Sequence, residues 1–173
     1  LQAAINAAAL GDTIVLANGV AYVGTFRLKD KGAGTAPITI RPASLASLPG
    51  AGVRVVPGTH AAAMARLIGT SDRVIQTEAN AHHYTLLGLD VSTDGSAYVP
   101  DLIDIGVDGN GVNNYPTYAE LLAQTNIVID RCFIHPYEIT ASNLVNDTLP
   151  LVRTSGRGVC ANGVNHTVKE SWI

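Results

Sequence analysis

The chain has 173 residues, a net charge of −3, and 14% charged against 47% hydrophobic residues. That is one domain's worth of sequence with ample apolar content for a core. It carries no basic footprint for nucleic acid, because the cluster Arg27-Leu28-Lys29-Asp30-Lys31 is diluted by its own acid, and no apolar run approaches the ~20 residues that cross a bilayer.

Leu1 to Leu10 reads as a short amphipathic helix, with Leu1, Ala4, Ile5, Ala8 and Ala9 on one face and Gly11 as its stop. Thr13-Ile14-Val15-Leu16 is a strand, Asn18-Gly19 a turn, and a second strand follows near Tyr22 to Leu28. After the Gly-rich loop Lys29 to Thr35, Ile38-Thr39-Ile40-Arg41 is a third strand with Pro37 at its entry. Val53-Arg54-Val55-Val56 reads as a strand stopped by Pro57-Gly58, and Thr59 to Ala65 as a helical turn. Strands then recur at Val74 to Thr77, 84–91, Leu102 to Ile105, 127–134, Val159 to Ala161 and 166–173. Two long loops, Asp108 to Gln124 and Pro136 to Thr154, interrupt this series and are placed to wall a groove.

Three of these segments are one repeated strand. Tyr84 to Val91, Ile127 to Ile134 and His166 to Ile173 start 43 and then 39 residues apart. The third position is always aliphatic (Leu86, Ile129, Val168), and so is the eighth (Val91, Ile134, Ile173). The fourth and fifth lean polar or Gly, as if the strand bends there. A strand-rich unit at this interval means stacked coils whose shared register places Leu86, Ile129 and Val168 in one core column. The chain starts at Leu1 without a Met and ends inside the third repeat, so it reads as a piece of a longer protein. Cys132 and Cys160 are the only cysteines and fall on different strands, which favours two small buried thiols over a disulfide.

The opening Leu1-Gln2-Ala3-Ala4-Ile5-Asn6-Ala7-Ala8, then Gly11-Asp12-Thr13-Ile14-Val15-Leu16, Gly19 and Gly34-Thr35-Ala36-Pro37-Ile38-Thr39-Ile40-Arg41, resembles the cap and first coils of right-handed parallel β-helix proteins of the pectin-lyase-like superfamily. Within it, the segment is similar to the start of the alginate lyase and chondroitinase B family. His82-His83-Tyr84 with Leu87-Gly88-Leu89 is similar to large secreted bacterial β-helix proteins of unassigned activity. The resemblance implies an all-β, right-handed parallel β-helix over residues 1–173, capped by a short N-terminal helix and truncated at its C-terminal end. It also implies a secreted protein directed at an extracellular polysaccharide. The lyases of the superfamily carry their catalytic Lys and Arg on later coils, and no such motif is found here.

The residues before each repeat are His83, Asn126 and Asn165. Asn126 and Asn165 are read as a structural ladder, each amide bonding along the stack and to its turn. Asn165-His166-Thr167 and Asn146-Asp147-Thr148 are also glycosylation sequons. The register sets Asp130 beside Lys169 and Arg131 beside Glu170, which reads as surface ion pairs. The seventh positions, Asp90, Phe133 and Trp172, share an outward face, where Phe133 and Trp172 stack under a loop or offer a sugar platform. Arg153 and Arg157 are the basic candidates for substrate contact. Asp101, Asp104, Asp108 and Asn110 form an acidic stretch of solvated edge and turn residues. Its alternative reading is a Ca2+ site, although the spacing departs from an EF-hand loop. His82-His83 lacks further ligands at metal spacing, and His60 and His135 stand alone. No metal, no other cofactor and no catalytic set is assigned.

Two classes follow. One is a polysaccharide lyase or glycoside hydrolase whose catalytic coils lie beyond this segment. The other is a non-catalytic β-helix that adheres or binds glycans. Both predict a monomer with a glycan partner, no nucleic acid and no membrane span.

Overall fold

Two left-handed corners bracket each of the three repeated strands and make the chain coil there. His83, Asn126 and Asn165 lead into the repeats with φ of 54°, 58° and 57°. Five residues on, Gly88, Arg131 and Glu170 turn out of them with φ of 64°, 50° and 52°. A single residue at positive φ reverses the strand's heading without a loop. This is the bend that the polar and glycine residues of the repeat foreshadow.

The computed structural model describes residues 1–106, 117–136 and 155–173. After helix α1 (Gln2–Ala7), strands β1 (Thr13–Leu16), β2 (Ala21–Val23) and β3 (Phe26–Leu28) form the first coil. β4 (Ile38–Pro42), β5 (Ala65–Gly69) and β6 (Ile75–Thr77) form the second, with helix α2 (Pro57–His60) before β5. β7 (Tyr84–Leu87), β8 (Leu89–Thr93) and β9 (Val99–Ile105) form the third. Helix α3 (Tyr118–Ala123) precedes β10 (Ile127–Asp130), β11 (Phe133–Ile134) and β12 (Ser155–Ala161), and β13 (Thr167–Lys169) opens the fifth.

Every pairing among the described residues is parallel. The first sheet runs β1-β4-β7-β10-β13, the second β11-β8-β5-β2, and the third β12-β9-β6-β3. The fold is an all-β parallel β-helix, and the repeat register holds residue for residue. Ile129 pairs with Leu86 on one side and Val168 on the other, and Phe133 pairs with Asp90. Leu86 and Ile129 are fully buried in one column with Ile40. Val168 is 43% exposed because β13 is the edge strand of its sheet. The other face of this sheet carries the row Thr13, Thr39, Thr85, Val128, Thr167. β-Branched residues suit such a half-exposed pleat.

Helix α1 caps the first coil. Ile5 has no exposure and packs into the core with Leu1 and Ala8 beside it. Gln2 completes the cap by acting as a substitute strand. Its Oε1 accepts from Arg27 N at 2.7 Å, and its Nε2 donates to Arg27 O at 3.1 Å, covering the edge of β3. The helix ends at Ala7, earlier than Gly11, since Ala8 is already extended.

Four local expectations differ. Tyr22 to Leu28 is two strands, divided at Gly24 with φ 134°. Residues 53–56 are not a strand: Val55 N donates to Glu170 O and Val56 N to His60 Nδ1, so no ladder partner remains. The turn at 57–63 is helical as expected, but Ala65 begins β5, a strand hidden by its short alanine-rich approach. The first long loop contains α3, whose capping box joins Thr117 and Glu120. Most of both long loops, 107–116 and 137–154, lies outside the described residues.

Candidate functional site

The outward face of the second sheet brings charged and aromatic side chains into one line. Direct register partners run Ala21, Arg66, Asp90, Phe133, Trp172 across successive coils. At ~4.8 Å per coil, Arg66 and Trp172 lie about 14 Å apart along the rod. Alternation puts Leu67, Val91 and Ile134 into the core and leaves this row outside.

An open cavity of about 320 Å³ adjoins the row, lined by Gly19, Ala61, Ala62, Arg66, Asp90, Phe133 and His135. Asp90 is 4% exposed, and each of its oxygens has a cationic or potentially cationic partner. Oδ2 lies 3.2 Å from Arg66 Nε and Oδ1 lies 3.0 Å from His135 Nε2. The other His135 nitrogen, Nδ1, faces the Pro136 carbonyl at 2.8 Å. The His135 ring stacks on Phe133 with centroids 3.9 Å apart and planes 14° from parallel. The arrangement can present a guanidinium edge to a ligand beside small apolar residues, with the imidazole engaged at both nitrogens.

His135 is therefore not alone. The signal lay in the repeat: Phe133 aligns with Asp90, and His135, two residues on, shares that face one step along the diagonal. Arg66 could not be placed from the sequence because β5 itself was not recognised.

Phe133 and Trp172 are register partners, yet each ring has another neighbour. Phe133 stacks on His135 and packs against the small cluster Leu48, Val55, Met64. Trp172 is 46% exposed and carries the Arg54 guanidinium 4.9 Å from its ring centroid. Asn126 and Asn165 occupy the same left-handed turn one coil apart, and Asn126 Nδ2 lies 3.1 Å from His83 Nε2. His83 Nδ1 meets His82 Nδ1 at 2.7 Å, and burial together with His82 holds the His83 pKa below its ordinary value. Burial likewise lowers the pKa of His166, whose Nδ1 receives Ile127 N–H at 3.4 Å.

The acids of the third sheet are not solvated. Asp101 has no exposure and holds Arg157 through both carboxylate oxygens, at 2.5 and 3.1 Å, with Arg73 Nε at 3.8 Å. Asp104, 5% exposed, meets Arg73 Nε at 2.5 Å. Buried carboxylates demand such pairing. Arg157, whose side chain is 59% exposed, reaches Asp101 from the next coil. Among the described residues no group of three or more His, Cys, Asp or Glu side chains is placed to hold a metal. Arg153, Asp108 and Asn110 lie outside the described residues.

Asp130 pairs with Lys169 at 3.5 Å as the register requires. Arg131 turns instead to Asp130 at 3.1 Å and to the Pro49 carbonyl at 2.7 Å. Both cysteines are free thiols. Complete burial pushes the Cys132 thiol up to about 12. Among the described residues no helix is long and apolar enough to cross a membrane.

No family model and no curated protein matches this chain. Among solved structures it is similar to an alginate lyase from Paenibacillus sp. str. FPU-7, at 20% sequence identity and a TM-score of 0.44. The match covers 99% of this chain and 62% of that one, so the chain spans less than two thirds of that enzyme's length. A likeness this distant says nothing of substrate or chemistry.

Proposed function

We propose that this chain belongs to a secreted, carbohydrate-active β-helix protein of lyase-like or hydrolase-like kind, and that the second sheet's outward face contacts an extracellular polysaccharide. The observation that carries this reading is the row Arg66, Asp90, Phe133, Trp172 beside an open cavity. A straight row on a rigid rod matches a linear polymer. The exposed Trp172 ring offers a flat apolar surface, and the half-exposed Arg66 guanidinium offers a polar edge for hydroxyl or carboxylate groups. The N-terminal sequence resemblance to the pectin-lyase-like superfamily supports the same direction.

A non-catalytic, glycan-binding role is the second reading, and the Asp90 geometry favours it. A carboxylate held at both oxygens, by Arg66 and His135, is a poor free base. No bond-breaking step is assigned to these residues. The test is a screen of the protein on alginate, pectate, glycosaminoglycans and neutral glycans, following unsaturated-product absorbance, reducing ends and binding. Binding or cleavage of any of these supports the reading, with Trp172→Ala weakening it. Absence of both on every glycan overturns it.

A further inference from the structure

The geometry points to the segment 43–63 as a clasp that holds the far coils from outside and sets the width of the cavity. It leaves the second coil after β4, crosses the left-handed corners of three successive coils, and returns as β5. At the third coil, Leu48 lies against Gly88, where any Cβ would collide with it. At the fourth, Pro49 O accepts from Arg131 Nη1 at 2.7 Å. At the fifth, Val55 N donates to Glu170 O at 3.1 Å, Arg54 Nε donates to Ser171 O at 2.9 Å, and the same guanidinium covers Trp172.

Leu48 and Val55 of the segment form a small core with Met64 just after it, closed by Leu45, Ala63 and Phe133. Phe133 is thus the seat of the clasp. Between Val55 and Met64 the segment passes through Ala61 and Ala62, which line the cavity together with Asp90 and His135. One element therefore joins two events: its grip on the fifth coil and the position of the cavity's alanine wall. Lifting it uncovers Trp172 and widens the cavity together. This holds whether or not the ligand is a glycan.

Leu48→Ala tests the coupling, since Leu48 sits at the third coil, away from the Arg54 contacts. Arg54→Ala is a surface change that keeps the test available should the first variant not fold, and Val53→Ala, at an exposed position of the same segment, is the control. Amide exchange at Val55, and acrylamide quenching of Trp172, the protein's sole tryptophan, are the readouts. The clasp predicts exchange roughly three- to tenfold faster at the Val55 amide in Leu48→Ala, as from losing its hydrogen bond to Glu170 O. Quenching rises in both variants, while β4 amides and the Val53→Ala protein stay at wild-type values. Unchanged Val55 exchange and unchanged Trp172 quenching in Leu48→Ala would overturn the proposal. So would an equal loss of protection in every strand, which is global destabilisation and not release of a clasp.

Discussion

Gly88→Ala should be far more costly than an ordinary surface glycine change, and the reason is Leu48 more than the backbone. Arg131 and Glu170 hold nearly the same left-handed φ at the equivalent corners, so the dihedral alone does not demand glycine. It costs an L-residue about 1–2 kcal/mol. A Cβ at position 88 would also strike Leu48 Cδ1 and approach Pro42 Cδ to 3.3 Å. Leu48 is 7% exposed and wedged in its own small core, so it cannot move aside freely. Overpacking of this kind costs about 1–3 kcal/mol, giving roughly 2–5 kcal/mol in all. Urea denaturation of Gly88→Ala, Leu48→Ala and the double variant forms a cycle. The double variant should lose at least about 1 kcal/mol less than the two single losses combined, because trimming Leu48 removes the collision. A Gly88→Ala protein within about 0.5 kcal/mol of wild type, or strict additivity, would refute this account of the corner.

Ile5→Asp places a carboxylate in the sealed end of the rod, where Ile5 has no exposure, and should lower the melting temperature and soluble yield; no change in either would put the cap elsewhere. Tyr84 is buried with its hydroxyl donating to Lys29 O at 2.8 Å, and burial pushes its pKa up to about 12 from an ordinary 10. Above pH 10 the unfolded chain releases this proton while the folded one keeps it. Stability should therefore fall by up to roughly 2–3 kcal/mol as pH rises from 10 to about 12, read by denaturant melts against a Tyr84→Phe control. Cys132, fully buried with its thiol pushed up to about 12, should resist thiol reagents in the native state, so that Ellman's reagent titrates no more than one thiol until denaturant is added.

The first sheet was the most legible part of this molecule. Its three later strands share an aliphatic third position and a residue at positive φ on each side, so three copies fix a register. The third sheet was less so, because its outward residues are paired in ways sequence spacing does not reveal. Asp101 and Asp104 look like solvated acids until Arg73 and Arg157 are brought across from neighbouring coils. The clasp was misread for a related reason. Val53 to Val56 has strand composition, but its hydrogen bonds go to Glu170 and His60 and to no ladder. The cavity was half legible: the repeat aligned Asp90 with Phe133 and so with His135, while Arg66 required a strand whose short, alanine-flanked sequence carries no period.

The central claim is that the second sheet's outward face engages an extracellular glycan. The most direct measurement is the emission of Trp172, the single tryptophan, titrated with each polysaccharide in turn and repeated on Arg66→Ala. Trp172 stands at one end of the row and Arg66 beside the cavity at the other. A glycan lying along the face should shift or quench that emission in a saturable way, and Arg66→Ala should weaken the titration. Tight glycan binding that leaves Trp172 emission untouched and ignores Arg66→Ala would move the site elsewhere on the rod and contradict the claim.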